Sequence, residues 1–176
     1  WAGRRRSGEE PCTSGGTSIV FVAPAAGDVS VDCGVEKNGY FGDHAYTFIV
    51  GEVDDEVKKL LQTTLNSLHF GIEQAIHGNK LGDIGHEIQT YVEKAGFSVV
   101  RDFCGHGIGK IFHESPNILH YGKKGEGIKI KTGMIFTVEP MINEGHIHIF
   151  CQIARNIFCK RNLSPSSFSL YCLSPF

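Results

Sequence analysis

Nowhere does this 176-residue chain approach the roughly 18 consecutive apolar residues of a membrane-spanning helix, so no stretch reads as a membrane span. Arg4-Arg5-Arg6 ahead of "IVFVAPAA" makes a poor secretory leader, because Glu9 and Glu10 intervene and the apolar run is short. The run reads as a buried strand. Basic excess is missing too: 17 Lys and Arg against 19 Asp and Glu give a formal charge of -2, which argues against a general nucleic-acid surface. There is no Cys-x-x-Cys pair and no internal repeat. The six cysteines, Cys12, Cys33, Cys104, Cys151, Cys159 and Cys172, follow no regular framework, and a chain of this length needs no disulfide staples. Reduced thiols in a cytosol-like compartment are the expectation. What is present is ordinary for one soluble domain with a sizeable core: 41% hydrophobic and 20% charged residues. A chain that starts at Trp1 rather than Met reads as a fragment or a processed product.

One segment is not ordinary. "CGHGIGKIFHESPNILHYG", residues 104–122, holds three histidines and four glycines in nineteen positions. Familiar motifs fail on it. A phosphate loop needs one more residue between its glycine and its Gly-Lys, and a Ser or Thr where Ile111 stands. Gly105, Gly107 and Gly109 give GxGxG rather than the dinucleotide pattern GxGxxG, and His113-Glu114 meets Asn117 where a zincin helix needs its second histidine.

Around it the local signals are clearer. Asn38-Gly39 in "VSVDCGVEKNGYFGDHAYTFIV" is a strong type I′ hairpin signal. That turn sets Lys37 opposite Tyr40, Asp32 opposite Ala45 and Asp43 opposite Gly34, which puts both aspartates on one face. A helix is expected from Asp54-Asp55, with Val57, Leu60, Leu61, Thr64, Leu65, Leu68, Ile72 and Ile76 as its apolar stripe and Gly78 as its stop. A second is expected to open near Asp83 and end at Gly96, with Ile84, Ile88, Tyr91, Val92 and Ala95 on one face. "FSVVRDF" reads as a strand, and "GIKIKTGMIFTVEPMINEG" as two more, broken at Thr132-Gly133. Residues 146–176 contain no acidic residue and show neither helical nor strand periodicity, so they are expected to pack weakly and to complete no sheet.

Four residues stand out as candidate metal ligands: Asp32, Asp43, His106 and Glu139. Three carboxylates with one imidazole suit a hard to borderline divalent ion such as Mn, Fe(II), Co or Zn. Several carboxylates can bridge two ions, which would clamp a water and lower its pKa. Gly105 and Gly107 would let backbone approach the site with no side chain in the way, and His113 could hydrogen-bond a substrate or donate a proton. Singly, each has a blander reading. Asp32 alone is more often a strand-end carboxylate, Asp43 after Gly42 a turn residue, and His106 or His120 a satisfied histidine. Glu139 in an apolar strand is harder to dismiss, since a buried carboxylate without a partner is costly.

Together, the four residues in this order, with "NGYFGD", "CGHGIGKIFHESPNILHYG" and "GMIFTVEPMINEG", closely resemble type I methionine aminopeptidases over about residues 27 to 145. Glu139-Pro140-Met141 resembles that family more than its prolidase-like relatives, which usually carry Glu-Pro-Gly there. The resemblance implies an α+β pita-bread fold, incomplete here, and a metal-dependent hydrolase that removes the initiator methionine. It implies that Asp32, Asp43, His106 and Glu139 hold two divalent ions, Asp43 bridging both. Glu139 would also be the general base, His113 would contact the scissile peptide, and Phe112 would line the methionine pocket. The implied partner is the N-terminal peptide of a nascent chain, with the ribosome as a further one. The protein would be a cytoplasmic monomer (an organelle being the alternative compartment), bound to neither DNA nor membrane.

Two departures accompany the likeness. The family's fifth ligand, a glutamate in a late Gln-Phe/Tyr-Glu-His-Thr strand, has no counterpart in 146–176. The family's upstream Cys-His-Gly-Ile-Pro segment is replaced by "CTSGGTSIVFVAPAAGDVS", which has no histidine. The expected division is a divergent segment 1–26, a catalytic core 27–145 and an unrelated tail 146–176, as in a truncated or misspliced product. Loss of a carboxylate endangers the second ion, so a weak or inactive aminopeptidase is expected. The alternative is a catalytically dead pita-bread domain that acts by binding.

Overall fold

The computed structural model describes residues 17–22, 28–145, 147, 168–170 and 172–173. Most of the stretch that departs upstream from the family, and most of 146–176, lies outside these residues.

The Asn38-Gly39 turn organises the first sheet. Both residues have positive φ, 55° and 78°, as a type I′ turn requires. It joins β2 (Asp28–Lys37) to β3 (Tyr40–Ile49) with no bulge, so Lys37 faces Tyr40, Asp32 faces Ala45 and Gly34 faces Asp43, as the sequence predicts. β1 (Thr17–Val22) is the strand expected of the "IVFV" run, and pairs antiparallel with β2. On one face Ser30, Gly34, Asp43, Ala45 and Thr47 are buried, and the Ser30 and Thr47 hydroxyls meet across the strands at 2.7 Å. Val35, Tyr46 and Phe48 are exposed on the other.

Two helices follow. α1 (Asp55–Glu73) carries the expected stripe as far as Ile72, then ends a turn early. Ile76 lies beyond it, 56% exposed, and Gly78 (φ 100°) serves the loop rather than the helix end. α2 (Leu81–Lys94) opens two residues before Asp83. Asp83 acts from within the first turn: its carboxylate accepts the Lys80 amide at 2.7 Å and the Gly125 amide at 2.6 Å, and the Lys80 bond first, then Gly125, holds its pKa down. The two stripes meet in one core, with Leu60, Leu68, Ile84, Ile88 and Val92 against Phe97, Ile118, Phe136, Val138 and Ile142.

The second half has less regular strand than expected. "FSVVRDF" yields only β4 (Ser98–Val99), and of the two strands sought in 127–145 only β7 (Met141–Asn143) is regular. Residues 129 and 136 make isolated bridges instead, to Lys80 and Gly107. β5 (Gly105–Gly107) pairs with β6 (Glu114–Ile118) across a bulge at His106/Gly107. β8 (Phe168–Leu170) pairs with β7, and β9 (Cys172–Leu173) with β3. These five residues correct the expectation that 146–176 adds nothing to a sheet. Backbone pairing does not require a periodic side-chain pattern.

Glycine explains how the helices sit. A Cβ on Gly85 would fall 2.5 Å from the Leu119 carbonyl oxygen and 2.6 Å from that of Tyr121, both backbone atoms with little freedom to yield. In an open helix, Gly→Ala gains about 1 kcal/mol. Overpacking costs typically 1–3 kcal/mol. Gly85→Ala should therefore lower the urea midpoint, with a net loss of up to about 2 kcal/mol. A raised midpoint would show that propensity wins and that the close approach is not limiting.

Candidate metal centre

Three pieces of chain converge. Asp43 comes from β3, His106 from β5, and Glu139 from the extended stretch between Phe136 and β7. One ligand atom from each lies within 4.8 Å of the others. His106 Nε2 is 3.4 Å from Asp43 Oδ2 and 3.6 Å from Glu139 Oε1. Atoms bound to one ion at about 2.0–2.2 Å stand roughly 3–3.5 Å apart, so the spacing suits a shared cation.

Each side chain is aimed by its own backbone. The β2–β3 register places Asp32 beside Asp43, and the two hydrogen-bond. His106 Nδ1 lies 2.9 Å from the Gly107 carbonyl, which can only accept, so Nδ1 carries a proton and Nε2 is the nitrogen that faces the carboxylates, where it can donate to them or offer its lone pair to a cation. In 136–139 the alternation is clean: Phe136 and Val138 enter the core, while Thr137 and Glu139 face the site. Thr137 Oγ1 donates to Glu139 Oε1 at 2.6 Å.

The electrostatics tell against leaving this group without a cation. Burial, then the Asp43 charge and hydrogen bond, push Asp32 up to about 6 against the pull of His106. Burial also pushes Glu139 up to about 7, with the Thr137 bond opposing and the carboxylates of Asp43 and Asp32 adding to the rise. For His106 burial acts downward, but the Asp43 bond, the Gly107 carbonyl and the Glu139 charge outweigh it and raise the pKa. Asp32, Glu139 and the His106 imidazole each move toward binding a proton here. A divalent ion would satisfy the same donors, so the residues fit one.

The remaining candidates lie at the edge. His113 is exposed, with its ring 4.3 Å from that of His106, and its pKa is lowered by partial burial and then by His106. Phe112 stacks edge-on to His113 at 4.8 Å and to Phe41 at 5.6 Å. It lies over Gly34, where a Cβ would meet its ring. Sequence reasoning missed Phe41, although it sits inside "NGYFGD"; its amide donates to the Gly109 carbonyl at 2.8 Å and ties the hairpin to the glycine-histidine segment. Thr137 was also missed, although its place two positions before Glu139 put it on the same face. Gly105 and Gly107 serve a purpose other than the expected one. Cβ atoms there would meet the Thr137 and Ser115 carbonyl oxygens, so these glycines let strands pack closely rather than open the site.

His120 is more than a satisfied core residue. It is 1% exposed, and its Nε2 accepts the Glu139 backbone amide at 3.0 Å. Burial pushes its pKa down to about 3.

Comparison with known proteins bears on most of the chain. The description "metallopeptidase family M24" matches residues 16–160, beyond both ends of the expected core. The methionine aminopeptidase of Clostridium acetobutylicum is 46% identical over 141 residues, which cover 76% of this chain and 56% of that protein. Methionine aminopeptidase A of Synechocystis is 53% identical over 121 residues, covering 68% and 48%. The crystal structure of methionine aminopeptidase from Rickettsia prowazekii superposes with a TM-score of 0.76 at 35% identity, covering 92% of this chain and 68% of that one. The chain spans about half the length of the curated relatives it matches. Its architecture is that of the pita-bread fold, in part.

Two outcomes are expected. His106→Ala should weaken Co(II) or Mn(II) binding by more than about 100-fold, since even outer contacts of metal ligands are worth 10–100-fold. His113→Ala should leave binding near the parental value, and titration calorimetry on both variants checks the difference. Equal loss in the two would contradict the placement of His113 at the edge. The second outcome concerns pH. A histidine held near 3 in the fold and near 6.5 when unfolded takes up its proton on unfolding, so its contribution is complete above pH 6.5 and is lost as pH falls. Asp32 and Glu139, raised in the fold, act in the opposite direction between about pH 4 and 7. Parent and His120→Gln must therefore be compared. The parent's advantage should shrink by about 1.4 kcal/mol per pH unit below 6.5, read from urea midpoints, and a constant difference would rule out the buried neutral imidazole.

Proposed function

The chain belongs to metallopeptidase family M24, and from that membership we propose that it is a metal-dependent methionyl aminopeptidase acting on the N-terminal peptides of newly made proteins. The observation that carries the reading is the convergence of Asp43, His106 and Glu139, joined by Asp32 through its bond to Asp43. These four would hold two divalent ions drawn from Co, Mn, Fe and Zn, with Asp43 as the shared ligand. Bound there, the ions supply a water of lowered pKa and polarise the substrate carbonyl.

The chain's own groups supply the rest. Glu139, a carboxylate set against the proposed ions, is suited to take a proton from the attacking water and pass it toward the leaving amine. His113, exposed and inclined toward the neutral form, can hydrogen-bond the scissile peptide's carbonyl oxygen as charge gathers on it. Phe112 and Phe41, packed edge to face, offer an apolar wall for an unbranched thioether side chain. No helix among the described residues is long and apolar enough to cross a membrane. A protein that trims nascent chains works where they are made, so the cytoplasm and the neighbourhood of the ribosome are its proposed setting, as a monomer. The binding-module alternative gains nothing from the structure, because such a module has no need of the converging Asp43, His106 and Glu139.

The test is release of methionine from Met-Ala-Ser by the full chain with added Co(II) or Mn(II). Release should depend on the metal and disappear with chelator and in His106→Ala. It should be slow beside the Clostridium enzyme, because the sequence offers no counterpart of the family's fifth carboxylate. Metal-dependent release no greater than the His106→Ala background would overturn the reading.

A further inference from the structure

We propose that Thr137 is the positioning residue that locks Glu139 to His106, making one rigid unit of two ligands that come from different strands. The inference rests on the metal-centre reading above. Thr137 is fully buried, and its hydroxyl makes two contacts of opposite sense. Oγ1 accepts the His106 backbone amide at 2.9 Å and donates to Glu139 Oε1 at 2.6 Å. A hydroxyl has one proton. The alternative acceptor, the His106 carbonyl, is 3.4 Å away, so the proton lies on the short bond to Glu139. The His106 carbonyl is engaged besides, by the Thr137 amide at 2.8 Å.

The contrast with another buried threonine is informative. Thr64, also fully buried, satisfies its hydroxyl on the Leu60 carbonyl one turn back in α1, the ordinary solution within a helix. Thr137 instead commits donor and acceptor to two candidate ligands. Glu139 Oε1, the oxygen it holds, is also the one that faces His106 Nε2. Threonine suits this task because its branched Cβ restricts χ1, so the hydroxyl is aimed before Glu139 arrives. The Glu139 carboxylate, which must meet a cation at about 2.0–2.2 Å, is thereby spared much of its rotamer search, while the backbone that carries His106 is held beside it.

The experiment is a Co(II) titration of the full chain at fixed pH, followed by calorimetry and by the visible absorption of bound Co(II). Thr137→Val keeps shape and burial but removes both bonds, and should weaken Co(II) about 10–100-fold and alter the visible bands. Thr137→Ser keeps the hydroxyl and should restore both readouts to within about threefold of the parent. Thr64→Val, an equally buried hydroxyl loss whose bond stays within α1, should leave them unchanged. Thr137→Ala is measured alongside and gives the same reading should the valine variant not fold. Parental affinity and spectrum in Thr137→Val or Thr137→Ala would overturn the proposal, as would a serine variant as weak as these. A parent chain that binds no Co(II) would instead overturn the metal-centre reading, and the positioning role with it.

Discussion

Three carboxylates crowd one buried corner of this molecule, and the rest of the site is arranged around the cost of that crowding. Asp32 and Asp43 are brought together by strand register, and Glu139 is brought to them from the far end of the chain. Like charges at this range cannot all persist in a poorly solvated place, and the upward pKa movement of Asp32 and Glu139 expresses the strain. A protein selected for stability alone would place apolar groups there. Keeping the carboxylates is intelligible only if a cation compensates them, and that compensation is also what would activate a water.

The scaffold meets this demand with close backbone packing rather than long regular strands. Gly105 and Gly107 let β5 lie against the Thr137 and Ser115 carbonyls, which sets His106 beside the stretch that carries Glu139. Gly85 does the same for α2 against residues 119–121, and so carries His120 to the Glu139 amide. Glu139 is thus held twice, through its carboxylate by Thr137 and through its backbone by His120. The aromatic corner follows from the same packing. Gly34 leaves the space over the sheet that Phe112 fills, and the Phe41–Gly109 bond draws hairpin and histidine segment together.

Local chemistry was the legible part of the fold. An Asn-Gly turn has one inexpensive geometry, so the whole β2–β3 register, and with it the Asp32–Asp43 pair, could be written down from residues 28–49. The helical stripes were equally plain, because periodic burial is a local pattern. The helix ends are less so: Asp83 reads as a start but caps from inside the first turn, since capping depends on which amides lack partners. The irregular run 127–140 reads as strand in the sequence because alternation reports which face a residue presents, not whether the backbone finds a continuous partner. Glu139 was recognisable as an anomaly in an apolar run. Thr137 and His120 were not, because a buried threonine and a buried histidine look the same in sequence whatever they hold.

That difference separates the ligands from the residues that support them. A carboxylate in an apolar strand advertises itself, because burying it has no bland explanation. A neutral hydroxyl or imidazole can be buried at little cost whenever one hydrogen bond is made. Their importance therefore lies in what is at the other end of the bond, and only a structure reveals that. The M24 match gives the family, whereas the Thr137 and His120 contacts come from the packing of this chain. A cation site is only as selective as its ligands are fixed, and the proposed ligand Glu139 is fixed by two residues that would not need to touch the ion.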